Sequence, residues 1–458
     1  MITFLRRRGF KFYDWATGHN VLQCLDELSQ TQWLSPDELR ALQIHRLQSL
    51  LEHAYTYVPY YRRVFDEVGF RPGNLVQDPE SFHKIPPISK TYIRSHPEEF
   101  FTTDASRRKK LWSNSTSGST GEPFVFWSSR EAMNYSIANG LRHHTWCGWR
   151  VGQPRAYLWG RRITRKFSGK LAEKARDFAW NSFTIDAYTL SEEAMNNLVY
   201  LIRRRKPQLL QGYPSALYLF AQFVRENKLD DIKLPAIYAS AEVLYPHQRK
   251  YIEETFEGSV FNRYAAQEVG GIACQCEQHT DMHLSMETNY VEILDGNVPV
   301  KDDEVGTIVV TKLINCDYPL IRYRLEDVGR LSTQQCSCGR GQSMLEVVEG
   351  RHNDMFKTRD GRLVWGGMGN PLWNMAGVKK FQFIQKTYDY VVVRIVKEGP
   401  LSQAQRAEVE KAVKFVLGEQ VKLDFEFPDE IPVDRSGKYR YQICGLDQQL
   451  HLEEKQHA

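Results

Sequence analysis

Between about residue 124 and residue 330, short strand-like runs alternate with helix-period runs, and that alternation constrains the fold more than any other feature of the chain. Phe124-Val125-Phe126-Trp127 is a compact apolar run; a helical pattern covers 191–205, Gln208-Leu209-Leu210 is strand-like, a second helix covers 214–227, and Ala236-Ile237-Tyr238-Ala239 is strand-like again. Such βα units imply an α/β sheet. Residues 16–70 read as helices, with Leu47, Leu50, Leu51, Ala54 and Val58 at helical spacing until Pro59 stops the pattern. Runs at 291–294, 307–313 and 319–324 predict a β-rich sub-region ending near Arg330. Composition turns polar and Gly-bearing at 350–362, a candidate linker. Beyond it lie strand-like Phe381-Gln382-Phe383-Ile384 and 390–396, a helix at 402–417 and a strand at 421–427, which make a small α+β domain of about 100 residues. The expected organisation is a large N-terminal α/β domain, 1–350, and a small C-terminal α+β domain, 351–458.

Charge narrows the function. The 458 residues carry 60 Lys and Arg against 56 Asp and Glu, a net charge of +4, which predicts no polyanion partner. The clusters Arg6-Arg7-Arg8, Arg107-Arg108-Lys109-Lys110 and Arg203-Arg204-Arg205-Lys206 lack aromatic interleaving, so they read as solvated helix ends rather than a nucleic-acid surface. No stretch of about 18 uncharged apolar residues appears, so no transmembrane helix is expected. Residues 1–12 lack the apolar core of a secretory signal. Eight cysteines without such a signal suggest reduced thiols or a metal site, and a cytoplasmic protein.

The strongest local signal is Ser115-Thr116-Ser117-Gly118-Ser119-Thr120-Gly121-Glu122-Pro123. Two glycines free the backbone to approach a ligand, and successive N–H groups in such a loop form an anion nest suited to a triphosphate. It is not a Walker loop, because no Gly-Lys-Ser/Thr follows, and alone it is equally an ordinary flexible loop. Further segments follow in order: Ser240-Ala241-Glu242-Val243, Tyr264-Ala265-Ala266-Gln267-Glu268, Tyr323-Arg324-Leu325-Glu326-Asp327, Gly350-Arg351-His352-Asn353-Asp354 and Pro432-Val433-Asp434-Arg435-Ser436-Gly437-Lys438.

In this combination, from Val58-Pro59-Tyr60-Tyr61-Arg62 to Lys438, the chain resembles the adenylate-forming superfamily of acyl-CoA synthetases, luciferases and peptide-synthetase adenylation domains. It is most similar to the branch of phenylacetate-CoA ligases and CapK-like proteins. The resemblance implies an ATP-dependent, AMP-forming carboxylate ligase. In it Ser115, Thr116, Ser117, Gly118, Ser119, Thr120 and Gly121 bind the phosphates, while Tyr264, with Ala265 beside it, stacks on adenine. Ser240, Ala241 and Glu242 line the base and the acyl pocket, which Trp180-Asn181 and Gly212-Tyr213-Pro214-Ser215 border. Glu268 holds Mg²⁺ against the phosphates, Asp327 takes both ribose hydroxyls, and Arg351 contacts phosphate or ribose. Lys438 stabilises charge developing on the carboxylate and α-phosphate. The small domain rotates about Asn353 and Asp354 between adenylation and acyl transfer. Ala265 replaces the usual Gly, Gln267 the usual Thr, and Asn353 the first Asp of the hinge pair.

A second constellation is metal-like. Cys276, His283, Cys336 and Cys338 offer three thiolates and an imidazole, a normal structural Zn²⁺ set, with Cys274 and His279 as competing ligands. The expected partners are a small carboxylic acid, ATP and an acceptor thiol such as coenzyme A. Two rival readings stay open: transfer to an amine or hydroxyl, as on a polysaccharide precursor, or a degenerate homologue that binds nucleotide or metal without turnover.

Overall fold

A computed structural model describes residues 9–11, 14–116, 124–160, 180–187, 190–351, 356–359, 363–364, 372, 375, 377–432 and 441–446. The chain divides into two compact units, with the main break between Val348 and Glu349 and the short piece Glu326–Val328 grouped with the second unit.

The first unit opens with helices α1 (Val21–Thr31), α2 (Pro36–Tyr57) and α3 (Pro59–Glu67). Ser35 and Glu38 form a reciprocal capping box at the start of α2, with Pro36 in the first turn, where its missing N–H costs nothing. Pro59 ends α2 only by starting α3: Val58, at φ −114°, caps both helices. A short helix α4 (Lys90–Ser95) follows, then the hairpin β1 (Trp112–Thr116) and β2 (Phe124–Ser128), and helix α5 (Arg130–Trp146).

The alternating segment builds β3 (Arg155–Trp159), β4 (Ser182–Asp186), α6 (Glu192–Arg205), β5 (Leu209–Gly212), α7 (Pro214–Glu226), β6 (Ala236–Ser240), α8 (Pro246–Phe256) and β7 (Ser259–Ala266). These strands pair in parallel in the order β4-β3-β5-β6-β7. Leu198, Ile202, Leu217, Phe220, Ile252 and Phe256 of the helices pack with the strand residues Leu158, Leu210 and Ile237.

After β7 the chain turns antiparallel: β8 (Gly270–Cys274), β9 (Met282–Leu284), β10 (Asn289–Asp295), β11 (Val298–Pro299), β12 (Gly306–Lys312), β13 (Tyr323–Ser332) and β14 (Met344–Arg351). The β-rich stretch is continuous with the parallel part in one 12-stranded sheet, order β11-β10-β12-β13-β14-β9-β8-β7-β6-β5-β3-β4. The strand expected over 319–324 begins only at Tyr323. Arg322 stands at φ +52°, and its fully buried guanidinium binds Glu292 at 2.9 and 3.1 Å.

The second unit carries a small hairpin, β15 (Phe356–Lys357) and β16 (Leu363–Val364), and a four-stranded sheet. In that sheet β17 (Val378–Thr387) and β18 (Tyr390–Lys397) are antiparallel, while β19 (Lys422–Glu426) and β20 (Gln442–Cys444) add in parallel. Helix α9 (Gln403–Leu417) packs Val409, Val413 and Leu417 with Phe381, Val391 and Ile395. Among the described residues, no helix is long and apolar enough to cross a membrane.

Candidate nucleotide site and thiolate–histidine cluster

In an open parallel sheet the ligand-receiving edge lies beyond the carboxyl ends of the strands. At that edge β5 ends on Gly212, where an added Cβ would stand 2.9 Å from Leu217 and 3.1 Å from the Leu158 carbonyl. Tyr213 follows as the N-cap of α7, and Trp159, closing β3, stacks on its ring at 4.3 Å and 25°. β6 ends on buried Ser240, whose hydroxyl donates to the Arg263 carbonyl. Ala241 then adopts φ +73°, a strained value for a residue with a Cβ. This turn delivers Glu242 to the first turn of α7, where its carboxylate accepts from the Ser215 N–H at 3.0 Å, at the positive end of the helix.

Trp180 does not join this group, contrary to the resemblance-based expectation. β3 aligns Arg155 with both Ser182 and Leu209, so Trp180, preceding β4, and Tyr213, following β5, lie at opposite ends of strands roughly 16 Å long. Trp180 instead meets Phe10 edge-on at 4.8 Å and lies 4.8 Å from the buried Arg155 guanidinium.

Glu268 occupies the turn between β7 and β8, with only 7% of its surface exposed. The adjoining strand is pinned by the Gly271 carbonyl, which accepts from Asn139 at 3.0 Å and Asn289 at 2.9 Å. The Glu268 carboxylate accepts from the Tyr323 hydroxyl at 3.4 Å and stands 3.5 Å from the Lys90 ammonium. Lys312, at the end of β12, donates to the Glu268 carbonyl at 3.2 Å; burial pushes its ammonium down to about 8, against the pull of Glu268. Phe124, the first residue of β2, is buried parallel to Tyr323 with the Lys90 ammonium 5.2 Å above its ring. Ser115 pairs with Val125 and Thr116 with Phe124, so the hairpin ties both roots of the Ser/Thr/Gly loop beside Lys90, Tyr323 and Glu268.

Ser117, Gly118, Ser119, Thr120, Gly121, the hinge pair Asn353 and Asp354, and Lys438 lie outside the described residues, as does the side chain of Arg351. Tyr264 is half-buried against the core, Ala265 pairs with Gly271, and Asp327 is half-buried on β13. Lys90 and Lys312 escaped the motif reading. Lys312 left one trace, a lone cation in the otherwise uncharged run Ile308-Val309-Val310-Thr311-Lys312-Leu313, where every residue is buried. Lys90 left none beyond its place after Ser89, which caps α4.

Past the other end of β8 a second group converges. The ligand atoms of Cys276, His283, Cys336 and Cys338 all lie within 4.8 Å of one another. Cys276 and Cys336 sulfurs are 3.6 Å apart, and the Cys338 sulfur is 3.4 Å from His283 Nε2. Backbone N–H groups of Gln278 and Arg340 point at the Cys276 and Cys338 sulfurs, a pattern that favours thiolates. Burial holds the His283 imidazole down to about 4, in the neutral form that a metal requires. Arg340 pairs with Glu277 at 3.0 Å and lies over the rings of Trp33 and Trp146, covering the group. Cys274 and His279 are not part of it: Cys274 donates to the Gln275 carbonyl, and His279 packs on Phe261 at 4.5 Å.

Residues 356–444 match the family model of the CapK C-terminal domain. Over 414 residues the chain is 24% identical to protein CapK of Staphylococcus aureus, covering 86% of this chain and 88% of that one. Over 404 residues it is 26% identical to the phenylacetate-coenzyme A ligase of Thermus thermophilus, covering 86% and 87%. The chain is a homologue of CapK and of the phenylacetate-CoA ligases. A crystal structure of 2-hydroxyisobutyryl-CoA ligase in the postadenylation state, in complex with 2-HIB-AMP, superposes with a TM-score of 0.71 at 23% identity, covering 90% of this chain and 91% of that one. The fold of this CapK and phenylacetate-CoA ligase homologue is therefore that of an adenylate-forming enzyme, a large mixed α/β unit with a smaller C-terminal one.

Proposed function

We propose that this chain is an ATP-dependent, AMP-forming carboxylate ligase that adenylates a carboxylic acid, releases pyrophosphate and passes the acyl group to a thiol such as coenzyme A. The observation that carries the reading is the convergence of Glu268, Lys90, Tyr323 and Phe124 at the roots of the Ser/Thr/Gly loop. A buried carboxylate beside an anion-binding loop suits Mg²⁺, whose chemistry when bound is to offset phosphate charge as the α-phosphate is attacked. In this reading the Ser115–Gly121 backbone and Lys90 hold the polyphosphate, and Tyr264 packs on adenine. Asp327 accepts from the ribose hydroxyls, and Lys438 and Arg351 meet charge at the reacting centre. The turn Ser240–Glu242 and the stacked pair Trp159–Tyr213 face the acid. The small unit begins near Glu349 and hinges at Asn353 and Asp354.

Cys276, His283, Cys336 and Cys338 fit Zn²⁺ by number, donor type and convergence, and would hold it as a structural ion, since the phosphate-facing residues lie elsewhere. Eight free cysteines suit a reducing cytoplasm.

A second reading keeps the adenylation step and gives the acyl group to an amine or hydroxyl. Pyrophosphate exchange across a panel of carboxylic acids, followed by product analysis with coenzyme A, hydroxylamine or no acceptor, separates the two. ATP binding without exchange for any acid would instead favour a non-catalytic homologue.

A further inference from the structure

The β7–β8 hairpin that carries Glu268 in its turn is irregular. Tyr264 pairs with Ala273 but Ala265 pairs with Gly271, so Ile272 is an extra residue in β8, a bulge just beyond Glu268. A bulge bends its strand and re-aims the side chains beside it. At this bulge the Gly271 carbonyl accepts from two side-chain amides, Asn139 of α5 at 3.0 Å and Asn289 at the start of β10 at 2.9 Å. Both asparagines are 1% exposed. A Cβ on residue 271 would stand 3.0 Å from Asn139 Nδ2, so glycine is what admits this approach. Asn139 also serves the fold, since its Oδ1 accepts from Arg142 at 2.9 Å and from Ser285 at 3.2 Å. Asn289 has a narrower role. Among the described residues its amide has one other acceptor, the neighbouring Thr288 hydroxyl at 3.1 Å, and its Oδ1 accepts from nothing. On the other side of the turn the Glu268 carbonyl accepts from Lys312. Buried side chains from α5, β10 and β12 thus fasten the backbone on either side of one carboxylate.

We propose that Asn289, together with Asn139, is a positioning residue for the divalent cation: the two amides hold the bulged Gly271 carbonyl and thereby fix where the Glu268 carboxylate points. Neither asparagine touches the cation or the nucleotide in this account. Their effect runs through the backbone of the β7–β8 turn, and the bulge is the device that turns a hairpin into an aimed ligand. The proposal rests on the assignment of Glu268 to Mg²⁺ above.

The test is titration of Mn²⁺ into the full chain saturated with α,β-methylene-ATP, with free Mn²⁺ read by electron paramagnetic resonance. The proteins compared are the wild type, Asn289→Ala, Glu268→Gln, the double variant of these two, and Thr31→Val. Asn289→Ala should weaken Mn²⁺ binding about two- to ten-fold, the range that one buried hydrogen bond commands. Its affinity for the nucleotide in EDTA should equal that of wild type, which separates aim at the cation from a general loss of the site. In the Glu268→Gln background Asn289→Ala should add nothing, because its effect runs through that carboxylate. Thr31→Val loses a buried hydroxyl contact to Glu287 and leaves the Gly271 carbonyl alone, so it is the control for loosened packing and should bind Mn²⁺ like wild type. If Asn289→Ala does not fold, Asn139→Ala carries the same comparison. Wild-type Mn²⁺ affinity in Asn289→Ala, an equal loss in Thr31→Val, or an undiminished effect of Asn289→Ala in Glu268→Gln would overturn the proposal while leaving the Glu268 reading intact. Wild-type Mn²⁺ affinity in Glu268→Gln would overturn that reading and the proposal with it.

Discussion

Arg142 and Glu287 are both completely buried, and the pair joins α5 to the turn between β9 and β10. Arg142 contacts the Glu287 carboxylate at 2.5 and 3.1 Å, and its terminal N–H groups also donate to the Leu28 carbonyl at 3.2 Å and the Asn139 side-chain oxygen at 2.9 Å. Thr31 adds a hydroxyl to Glu287 at 2.9 Å, bringing α1 into the same knot. Removing one member leaves the other as an uncompensated buried charge, so Glu287→Leu and Arg142→Leu should each cost about 3–5 kcal/mol. Removing both leaves no charge behind, and the double variant should lie well above the sum of the singles, with a coupling of up to about 3 kcal/mol. Burial pushes the Glu287 carboxyl up, but Arg142 and the local hydrogen bonds bring it below the ordinary carboxylate value. A depressed native value means that the stabilisation is present above the unfolded value of about 4.3 and is lost as pH falls through the native one. Wild-type stability should therefore drop below about pH 4.5 more steeply than that of the double variant. Urea unfolding of the full chain, at pH 7 and through that acid range, measures both effects. Additive single costs, or a Glu287→Leu cost under about 1 kcal/mol, would refute the reasoning.

Purified protein never exposed to chelator should carry about one equivalent of zinc, and Cys336→Ser should lower metal content and thermal midpoint together, because structural zinc is coupled to folding; a full zinc complement in that variant would remove Cys336 from the ligand set. Lys438→Ala should slow adenylation at least about a hundred-fold while leaving acyl transfer from added acyl-adenylate nearly intact. Single-turnover assays of the two half-reactions check this, and equal losses in both would assign Lys438 another role.

The segments that carry their own periodicity were legible in the sequence. The helix expected over 191–205 is Glu192–Arg205, that over 214–227 is Pro214–Glu226, and that over 402–417 is Gln403–Leu417, because each has an apolar stripe and a cap or Pro at its start. The union of the β-rich stretch with the parallel strands into one sheet was not legible, since beyond the local β7–β8 hairpin it depends on β9 pairing with β14, a long-range choice that no window records. Trp180 was misplaced for a related reason: an aromatic next to a strand does not reveal which end of the sheet the strand presents. The convergence of Cys276, His283, Cys336 and Cys338 was legible because thiol and imidazole chemistry is rare enough to stand out, and the competing Cys274 and His279 were separated from them only by geometry. Glu268 was singled out by motif, whereas Lys90 and Lys312, which the structure places beside it, were not, because a lysine in sequence reads as surface until its burial is known.

The central claim is that this chain forms an acyl-adenylate. Carboxylate-dependent exchange of labelled pyrophosphate into ATP, run with a broad acid panel on zinc-replete protein with Mg²⁺, tests it most directly. The expected result is exchange with at least one acid that disappears without acid and falls at least about a hundred-fold in Glu268→Gln, with AMP as the nucleotide product once an acceptor is added. Exchange that is independent of any acid, or an ADP product, would contradict it.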